Sequence, residues 1–293
     1  MNDLLSTFNG SNMRFDLAKK ERLYLVVDGA QVDELARALY RLEGQIELEP
    51  IYMQPPHNEL LSVSPYVIEA TKYVKEWFFK LNKPLAGYFI SSVSPLAEIC
   101  ENFRNIITAE SPYGSRIYIK MANAECAWVF YSTQSPQFWV HTAKVWIATR
   151  RGWQYLESPF SELPPYEKEL KVSDEQWRLL GDISWDNTIE KLENHMMKWF
   201  SHEFELHKNS ESWIRYHADS AYSQGFTTER DLLMYINIIG FLGEENFLDT
   251  AQHPDIHELL EQPSLQTPSQ RVEAAANLAY QYSQQQYDQE KQV

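Results

Sequence analysis

The chain has 293 residues, of which 44% are hydrophobic, so it is long enough to bury a sizeable core and to form about two domains. Its 26 Lys and Arg side chains are outnumbered by 41 Asp and Glu side chains, which gives a net charge of −15. This balance argues against a nucleic-acid-binding protein, because phosphate contacts need clustered cations. It favours solubility or a partner protein with a basic face.

Cysteine content and apolar runs indicate a cytoplasmic protein without membrane insertion. Cys100 and Cys126 are the two cysteines, and neither lies in a zinc-binding spacing of Cys and His. Both are predicted to be small buried apolar residues. The apolar runs fall short of the roughly 20 residues that a membrane span needs, and residues 1–10 lack the pattern of a signal peptide.

The sequence predicts an α/β (α+β) N-terminal lobe with a mixed β-sheet over residues 1–157. Strands and helices alternate at first, and consecutive strands follow. The predicted strands are 23–27, 48–53, 87–91, 116–121, 127–131, 144–149 and 153–156. The predicted helices are 32–42, 64–81 and one that starts at Ser94-Pro95. The strands 116–121 and 127–131 are predicted to form a hairpin.

Charge and proline content divide the chain. Residues 1–157 have 16 basic and 17 acidic side chains, whereas residues 158–293 have 10 and 24. Three prolines near the change resist both helix and central strand, so residues 158–172 are predicted to be a linker. An acidic, all-α C-terminal lobe is predicted for 173–293. It opens with a capping box, in which Ser173 is the cap and Gln176 lies three residues on.

Histidines of the second lobe suggest one alternative function. His202 and His207 are spaced i to i+5, whereas the helical zinc motif of metalloproteases needs i to i+4. His195 lies seven residues before His202 and shares its helical face in principle, with Glu203 nearby. A metal-dependent or other hydrolase that uses His195, His202 and nearby carboxylates is therefore one alternative. The other interpretation is the solvated face of an amphipathic helix.

Asp28-Gly29 follows the first strand, where α/β proteins often place a functional loop. Neither of the glycine-rich phosphate-binding motifs follows it, and the chain lacks a GxSxG nucleophile elbow. We therefore expect Asp28 to cap the helix 32–42 and Gly29 to supply a turn. The sequence predicts neither catalytic residues nor a cofactor, and hence a protein that is not an enzyme.

Aromatic residues make up 14% of the chain, and many of them fall in the first lobe. Most must belong to the core, but aromatic and arginine side chains are also enriched at protein interfaces. Arg150 and Arg151 lie beside Trp153, with Trp139 a little earlier in the chain. These four residues are predicted to bind a partner protein. A solvated strand end is the alternative interpretation.

Several segments of the first lobe, in this order, resemble the family defined by domain of unknown function 4123. They are Leu23-Tyr-Leu-Val-Val-Asp-Gly-Ala30, Leu61-Ser-Val-Ser-Pro-Tyr-Val67, Gly87-Tyr-Phe-Ile-Ser-Ser92 and Trp128-Val-Phe-Tyr131. In the second lobe, Gly225–Leu233, Leu242-Gly243 and Pro263-Ser-Leu265 are similar to the helical tail of many members. This family comprises the adaptors, or effector chaperones, of type VI secretion.

The resemblance implies a function. Such adaptors bind a cognate toxic effector in the cytoplasm and help to join it to a spike protein of the VgrG type. They need no cofactor and have no known catalytic residues. An immunity protein, which would neutralise a toxin instead of delivering it, is a further alternative.

Overall fold

The computed structural model describes residues 13–262 and 264–290, with side chains described up to residue 285. The chain forms two compact units, Met1–Ile183 and Ser184–Val293. The boundary between the units lies inside a long helix, beyond the segment 158–172 where the sequence predicts a linker. The linker itself stays a prediction.

The first unit is built on a six-stranded sheet in which every neighbouring pair is antiparallel. Its order is β2-β3-β1-β4-β7-β8. The strands are β1 (Arg22–Val27), β2 (Leu48–Pro50), β3 (Tyr66–Glu69), β4 (Gly87–Ser92), β7 (Lys144–Thr149) and β8 (Gly152–Glu157). A small mixed sheet of order β6-β5-β9 is formed by β5 (Thr108–Glu110), β6 (Arg116–Tyr118) and β9 (Leu170–Lys171).

Helices pack on both faces of the six-stranded sheet. The α-helices of this unit before residue 174 are α1 (Leu35–Leu39), α2 (Lys72–Lys80), α3 (Leu96–Asn105), α4 (Ala124–Ser132) and α5 (Pro136–Trp139). Two 3-10 helices, His57–Val63 and Pro84–Ala86, lie in the connections that lead into β3 and β4. Alternate residues of each strand point to opposite faces. Tyr24 and Val26 accordingly join a core with α3, α4 and α5, whereas Leu23, Leu25 and Val27 join a second core with α1 and α2.

The predicted helix 64–81 is wrong over its first part, because Tyr66–Glu69 forms the strand β3. Aromatic and β-branched residues favour strands, and β3 is paired on both sides, with β1 and β2. The helix α2 begins only at Lys72. Its N-cap is Thr71, whose hydroxyl oxygen accepts a hydrogen bond from the Val74 amide at 3.4 Å.

The predicted hairpin of 116–121 and 127–131 is also wrong. The strand β6 pairs with β5, and Ala124–Ser132 is the helix α4. Asn123 caps this helix by accepting a hydrogen bond from the Cys126 amide at 2.9 Å. Because α4 is buried on nearly all sides, its sequence is a continuous apolar run, which does not distinguish a helix from a strand.

The second unit, as far as it is described, is built of helices. They are the second part of α6 (Asp174–Trp199), α7 (Ser201–Glu205), α8 (Ser210–Ser223), α9 (Glu229–Leu242), α10 (Glu244–Leu248), α11 (Pro254–Glu261) and α12 (Pro268–Glu290). One hydrophobic core joins α6, α8, α9, α10, α11 and α12. The predicted fold class, an α/β lobe with a mixed sheet followed by a helical lobe, is confirmed.

The predicted capping box is present at the start of α6. The Gln176 amide donates to the Ser173 hydroxyl oxygen at 3.2 Å, and the Ser173 amide donates to the Gln176 side chain at 2.9 Å. Thr228 caps α9 by accepting a hydrogen bond from the Asp231 amide at 3.1 Å. These signals mark helix starts because they satisfy amides that lack partners within the helix.

Candidate partner-binding surface

One end of the six-stranded sheet gathers several loops of the first unit. Val27 pairs with both Tyr66 and Gly87, and Thr149 pairs with Gly152. The last residues of β1 and β7 therefore lie at the same end as the first residues of β3, β4 and β8. We call it the Asp28 end, after the residue that follows β1. The loops after β1, between β2 and β3, and between β7 and β8 all lie there.

Asp28 closes a turn at this end. One carboxylate oxygen accepts a hydrogen bond from the Ala30 amide at 2.9 Å, and the other accepts one from the Gln31 side chain at 3.0 Å. The prediction that Asp28 caps a helix is wrong, because α1 starts later and its N-cap is Glu34. A carboxylate two residues before a free amide forms such a turn locally, without the helix.

Gly29 lies tightly against the loop between β2 and β3. A Cβ atom at Gly29 would come within 2.2 Å of the Ser64 carbonyl oxygen. Glycine is therefore required here by the close approach of two backbones. The backbone at the start of the loop after β1 therefore packs directly against the backbone at the end of the β2–β3 loop.

The β2–β3 loop exposes a run of apolar side chains, which we call the 53–63 segment. Every residue from Asn58 to Val63 is exposed. The exposed fractions are 53% for Met53, 42% for Leu60, 46% for Leu61 and 41% for Val63. Several exposed apolar side chains close together in one loop favour a contact with another protein.

An aromatic side chain extends this apolar segment. The His57 ring lies 5.7 Å from the Tyr118 ring, and Tyr118 is 61% exposed. Sequence reasoning missed the segment. Its signal is two adjacent leucines in a stretch bounded by prolines, where a loop is expected to be polar.

Two of the predicted partner-binding residues form the turn between β7 and β8, at the Asp28 end. Arg151 is exposed at its tip. Arg150 forms an ion pair with the buried Glu125 of α4, and its amide donates to the same carboxylate at 3.0 Å. This pair fixes the turn against the start of α4 and leaves Arg151 available for contact.

The two predicted tryptophans lie in different surroundings. Trp153 is half-buried on β8 and contacts the Phe79 ring at 6.2 Å. Trp139 is buried, and its indole donates to the Tyr131 carbonyl oxygen at 3.3 Å. The structure thus brings Arg150, Arg151 and Trp153 to one hairpin and places Trp139 in the core on the other face of the sheet. Partner binding by the four residues stays a prediction.

The histidines of the hydrolase alternative are not brought together as a metal site. The His195 ring is hydrogen-bonded to the Asn237 side chain at 2.6 Å, and His202 is exposed. Within residues 13–262 and 264–285, His, Cys, Asp and Glu side chains nowhere form a group of three or more arranged to hold a metal ion. The arrangement gives no support to metal-dependent hydrolysis.

A buried polar cluster of the second unit centres on Glu244. Its carboxylate accepts hydrogen bonds from the His217 ring and the Trp213 indole, both at 2.8 Å. Burial lowers the pKa of His217. Burial also opposes the charge of Glu244, but the two hydrogen bonds outweigh it and lower the pKa of this carboxyl. His207 stacks on Trp213 at 4.0 Å and lies 3.5 Å from Glu203.

One contact set includes the residue types of a catalytic triad but not its geometry. The same ring nitrogen of His141, Nδ1, lies 2.8 Å from the Ser94 hydroxyl and 3.7 Å from the Glu98 carboxylate. A proton relay needs the serine and the carboxylate on different ring nitrogens. Both cysteines are buried, and burial raises the pKa of Cys100 and of Cys126 to about 12, which disfavours the reactive thiolate.

The second unit is strongly acidic. Residues 184–293 have 7 basic and 18 acidic side chains, net −11, whereas residues 1–183 have 19 and 23, net −4. Residues 231–270, which include α10 and α11, contain neither lysine nor arginine. Glu245, Asp249 and Glu258 are exposed there. Of the helices that the structure describes, none has the length and apolar character to cross a membrane.

An exposed apolar segment and a strongly acidic unit are typical of a protein that works through contacts with other proteins. Residues 23–139 match the family described as "Domain of unknown function (DUF4123)". The chain is also 47% identical over 270 residues to accessory protein VasW of Vibrio cholerae serotype O1, across 92% of this chain and 91% of that protein. No solved structure matches the chain. The chain belongs to the family of accessory protein VasW, which confirms the resemblance to the type VI secretion family with this domain.

Proposed function

We propose that the chain is an adaptor of type VI secretion. It binds a cognate toxic effector in the cytoplasm and promotes the loading of that effector onto a VgrG spike. The observation that carries this proposal is membership of the VasW family, at 47% identity over 92% of the chain. An adaptor acts by surface recognition, which agrees with the absence of a relay geometry at His141.

The Asp28 end of the sheet is the surface on which we place one partner. Its apolar part is the 53–63 segment, and its charged part is Arg151. Strands are about 4.8 Å apart, so the ends of the six strands span roughly 24 Å from β2 to β8. A standard interface covers about 800 Å² on each partner, and a square patch of that area has sides of roughly 28 Å. The width of this end of the sheet is therefore close to that of one such interface.

A co-purification experiment tests this placement. The triple variant Leu60→Ser, Leu61→Ser, Val63→Ser should retain at least about tenfold less of the effector encoded beside this gene, because half-exposed apolar side chains lose contact area. Val93→Ser is the matched control. Val93 is 71% exposed and follows the last residue of β4, at the opposite end of the sheet. Equal retention by both variants would reject the placement, and failure of the wild-type chain to retain any such effector would reject the adaptor.

Gene deletion separates the adaptor from an immunity protein. Loss of effector export with healthy cells supports the adaptor, whereas poisoning of the deletion strain by its own toxin supports immunity. Metal analysis of the purified chain addresses the hydrolase alternative. Stoichiometric zinc that is lost on replacing His195 would contradict the proposal.

A further inference from the structure

A buried arginine of the second unit has spare hydrogen-bond donors. Arg271, on α12, is 9% exposed. Its Nη1 donates to the carbonyl oxygens of Leu259, Leu260 and Gln262, at 3.3, 3.2 and 3.1 Å, and so caps the C-terminal end of α11. Among the side chains that the structure describes, in residues 13–262 and 264–285, neither Nε nor Nη2 of Arg271 has a hydrogen-bond partner, and no carboxylate forms an ion pair with it.

This arginine differs from the other arginines of its unit. Arg215 is paired with Asp186, and Arg230 is paired with Glu273. Carbonyl oxygens carry no formal charge to offset that of the guanidinium, and the ring of Phe226, at 5.5 Å, provides further attraction. The free edge of the guanidinium, Nε with Nη2, is the fork that binds a carboxylate through two parallel hydrogen bonds.

Arg271 also lines a cavity of about 510 Å³, together with Gln224, Leu260 and Glu261. Its lining combines donors, an acceptor and an apolar side chain. Oε1 of Gln224 is buried without a hydrogen-bond partner within the described structure. An unsatisfied buried acceptor costs roughly 1–3 kcal/mol, which a ligand N–H would recover after a small rotation of the amide.

We infer that this cavity binds the C-terminal residue of a partner polypeptide. The terminal carboxylate is held by Nε and Nη2 of Arg271, the last amide N–H donates to Gln224, and an apolar side chain packs on Leu260. This arrangement requires the N–H side of the ligand, and not its carboxylate, to face Glu261, which also lines the cavity. A side-chain carboxylate or a small free acid supplies the charge but not the adjacent amide. The inference goes beyond the proposed function and does not depend on it.

Titration of the purified full chain tests the inference. The probes are N-acetyl-Leu-Leu as the free acid, the same dipeptide as its C-terminal amide, and acetate. The readout is the Arg271 Nε–H resonance in ¹⁵N NMR spectra. The free acid should shift this resonance saturably and bind at least about tenfold more tightly than the amide or acetate, since a hydrogen bond to a charged group is lost with the amide.

Variants separate binding from folding. Arg271→Met should abolish the preference for the free acid, whereas Arg230→Met, which removes an exposed arginine of the same unit, should leave it unchanged. Because Arg271→Met also removes the cap of α11, Gln224→Glu provides a second test. It keeps the shape of the cavity and should weaken the free acid more than the amide by charge repulsion.

The inference is overturned if the free acid and the amide bind equally, if acetate binds as tightly as the dipeptide, or if the Arg271 resonance fails to shift at millimolar peptide. None of these results bears on whether the chain retains an effector. Failure here is therefore distinguishable from failure of the adaptor proposal.

Discussion

Two glycines inside helices have opposite surroundings. Gly181 lies in α6, and a Cβ atom there would meet no described atom within 4 Å. Gly240 lies in α9, where a Cβ atom would come within 2.4 Å of the Phe200 ring. Alanine favours the helix over glycine by about 1 kcal/mol at both positions, so the surroundings decide the sign of the effect.

We expect Gly181→Ala to raise the free energy of unfolding by roughly 0.5–1 kcal/mol and Gly240→Ala to lower it by about 1–3 kcal/mol. Urea unfolding of the two variants measures both values. Since the substitution is identical, each variant is the control for the other. A stabilised Gly240→Ala variant would show that Phe200 moves aside without cost.

The stability of the second unit should depend on pH through His217. Burial lowers the pKa of His217 from its ordinary value of 6.5, so the unfolded chain binds this proton more readily than the folded chain. Stability is therefore fully present above pH 6.5 and declines as the pH falls toward the lowered pKa. The lowered pKa of Glu244 acts in the same direction at more acidic pH.

Unfolding temperatures between pH 7.5 and pH 5 measure this dependence. The wild-type midpoint should fall with pH, and the His217→Gln variant should show a flatter profile at lower stability, because the hydrogen bond to Glu244 is disturbed. His202→Gln, at an exposed position, is the control and should follow the wild type. Parallel profiles of wild type and His217→Gln would contradict the assignment.

At the scale of elements, the capping box of α6 makes a quantitative prediction. Ser173→Ala removes the acceptor of the Gln176 amide and should destabilise the chain by about 1 kcal/mol. Ser184→Ala, at an exposed position inside the same helix, should have little effect or a slight stabilising one. Thermal unfolding of the two variants distinguishes them. Equal midpoints would mean that this helix start is held by packing alone.

Helix starts and strands with local signals could be predicted from the sequence, since a cap or a turn lies within a few residues of its effect. The capping box at Ser173 is of this kind. The segment Tyr66–Glu69 could not, because its state depends on β1 and β2 pairing with it from distant parts of the chain. The prediction was wrong at the buried helix α4 for a related reason. Because α4 is buried on nearly all sides, its apolar residues do not recur with the spacing of an amphipathic helix.

The candidate site was predictable in part. Two arginines close to a tryptophan in sequence indicate the turn between β7 and β8. Residue type alone does not show that Trp139 is buried and Trp153 only half-buried. The 53–63 segment was missed because exposure of an apolar residue is a property of the folded chain. Its position beside Asp28 follows from strand register, which the sequence does not show directly.

For the whole molecule, charge should govern how fast partners associate. The net charge of −11 on residues 184–293 attracts a partner with a basic face, and salt screens that attraction. We expect the association rate of such a partner to fall on the order of tenfold from low to physiological ionic strength. Stopped-flow or surface-binding kinetics with the co-purified partner measure the rate.

A matched pair of variants separates the effect of where a charge lies from the effect of the net charge on the association rate. Glu245→Lys on α10 and Glu76→Lys on α2 change the net charge equally, but the second lies in the less acidic first unit. Glu245→Lys should slow association more than Glu76→Lys. Equal rates would mean that the partner responds to the charge of the molecule as a whole and not to the acidic unit.

The stretch from residue 231 to residue 270, without lysine or arginine, has a practical consequence for mapping complexes of this chain. Reagents that couple to primary amines find nothing to modify on α10 or α11, and trypsin releases the whole region as one long peptide. A cross-linking map made with such chemistry would be blind to these helices even if a partner covered them. Carboxylate-directed coupling and a protease that cuts after glutamate would make them visible.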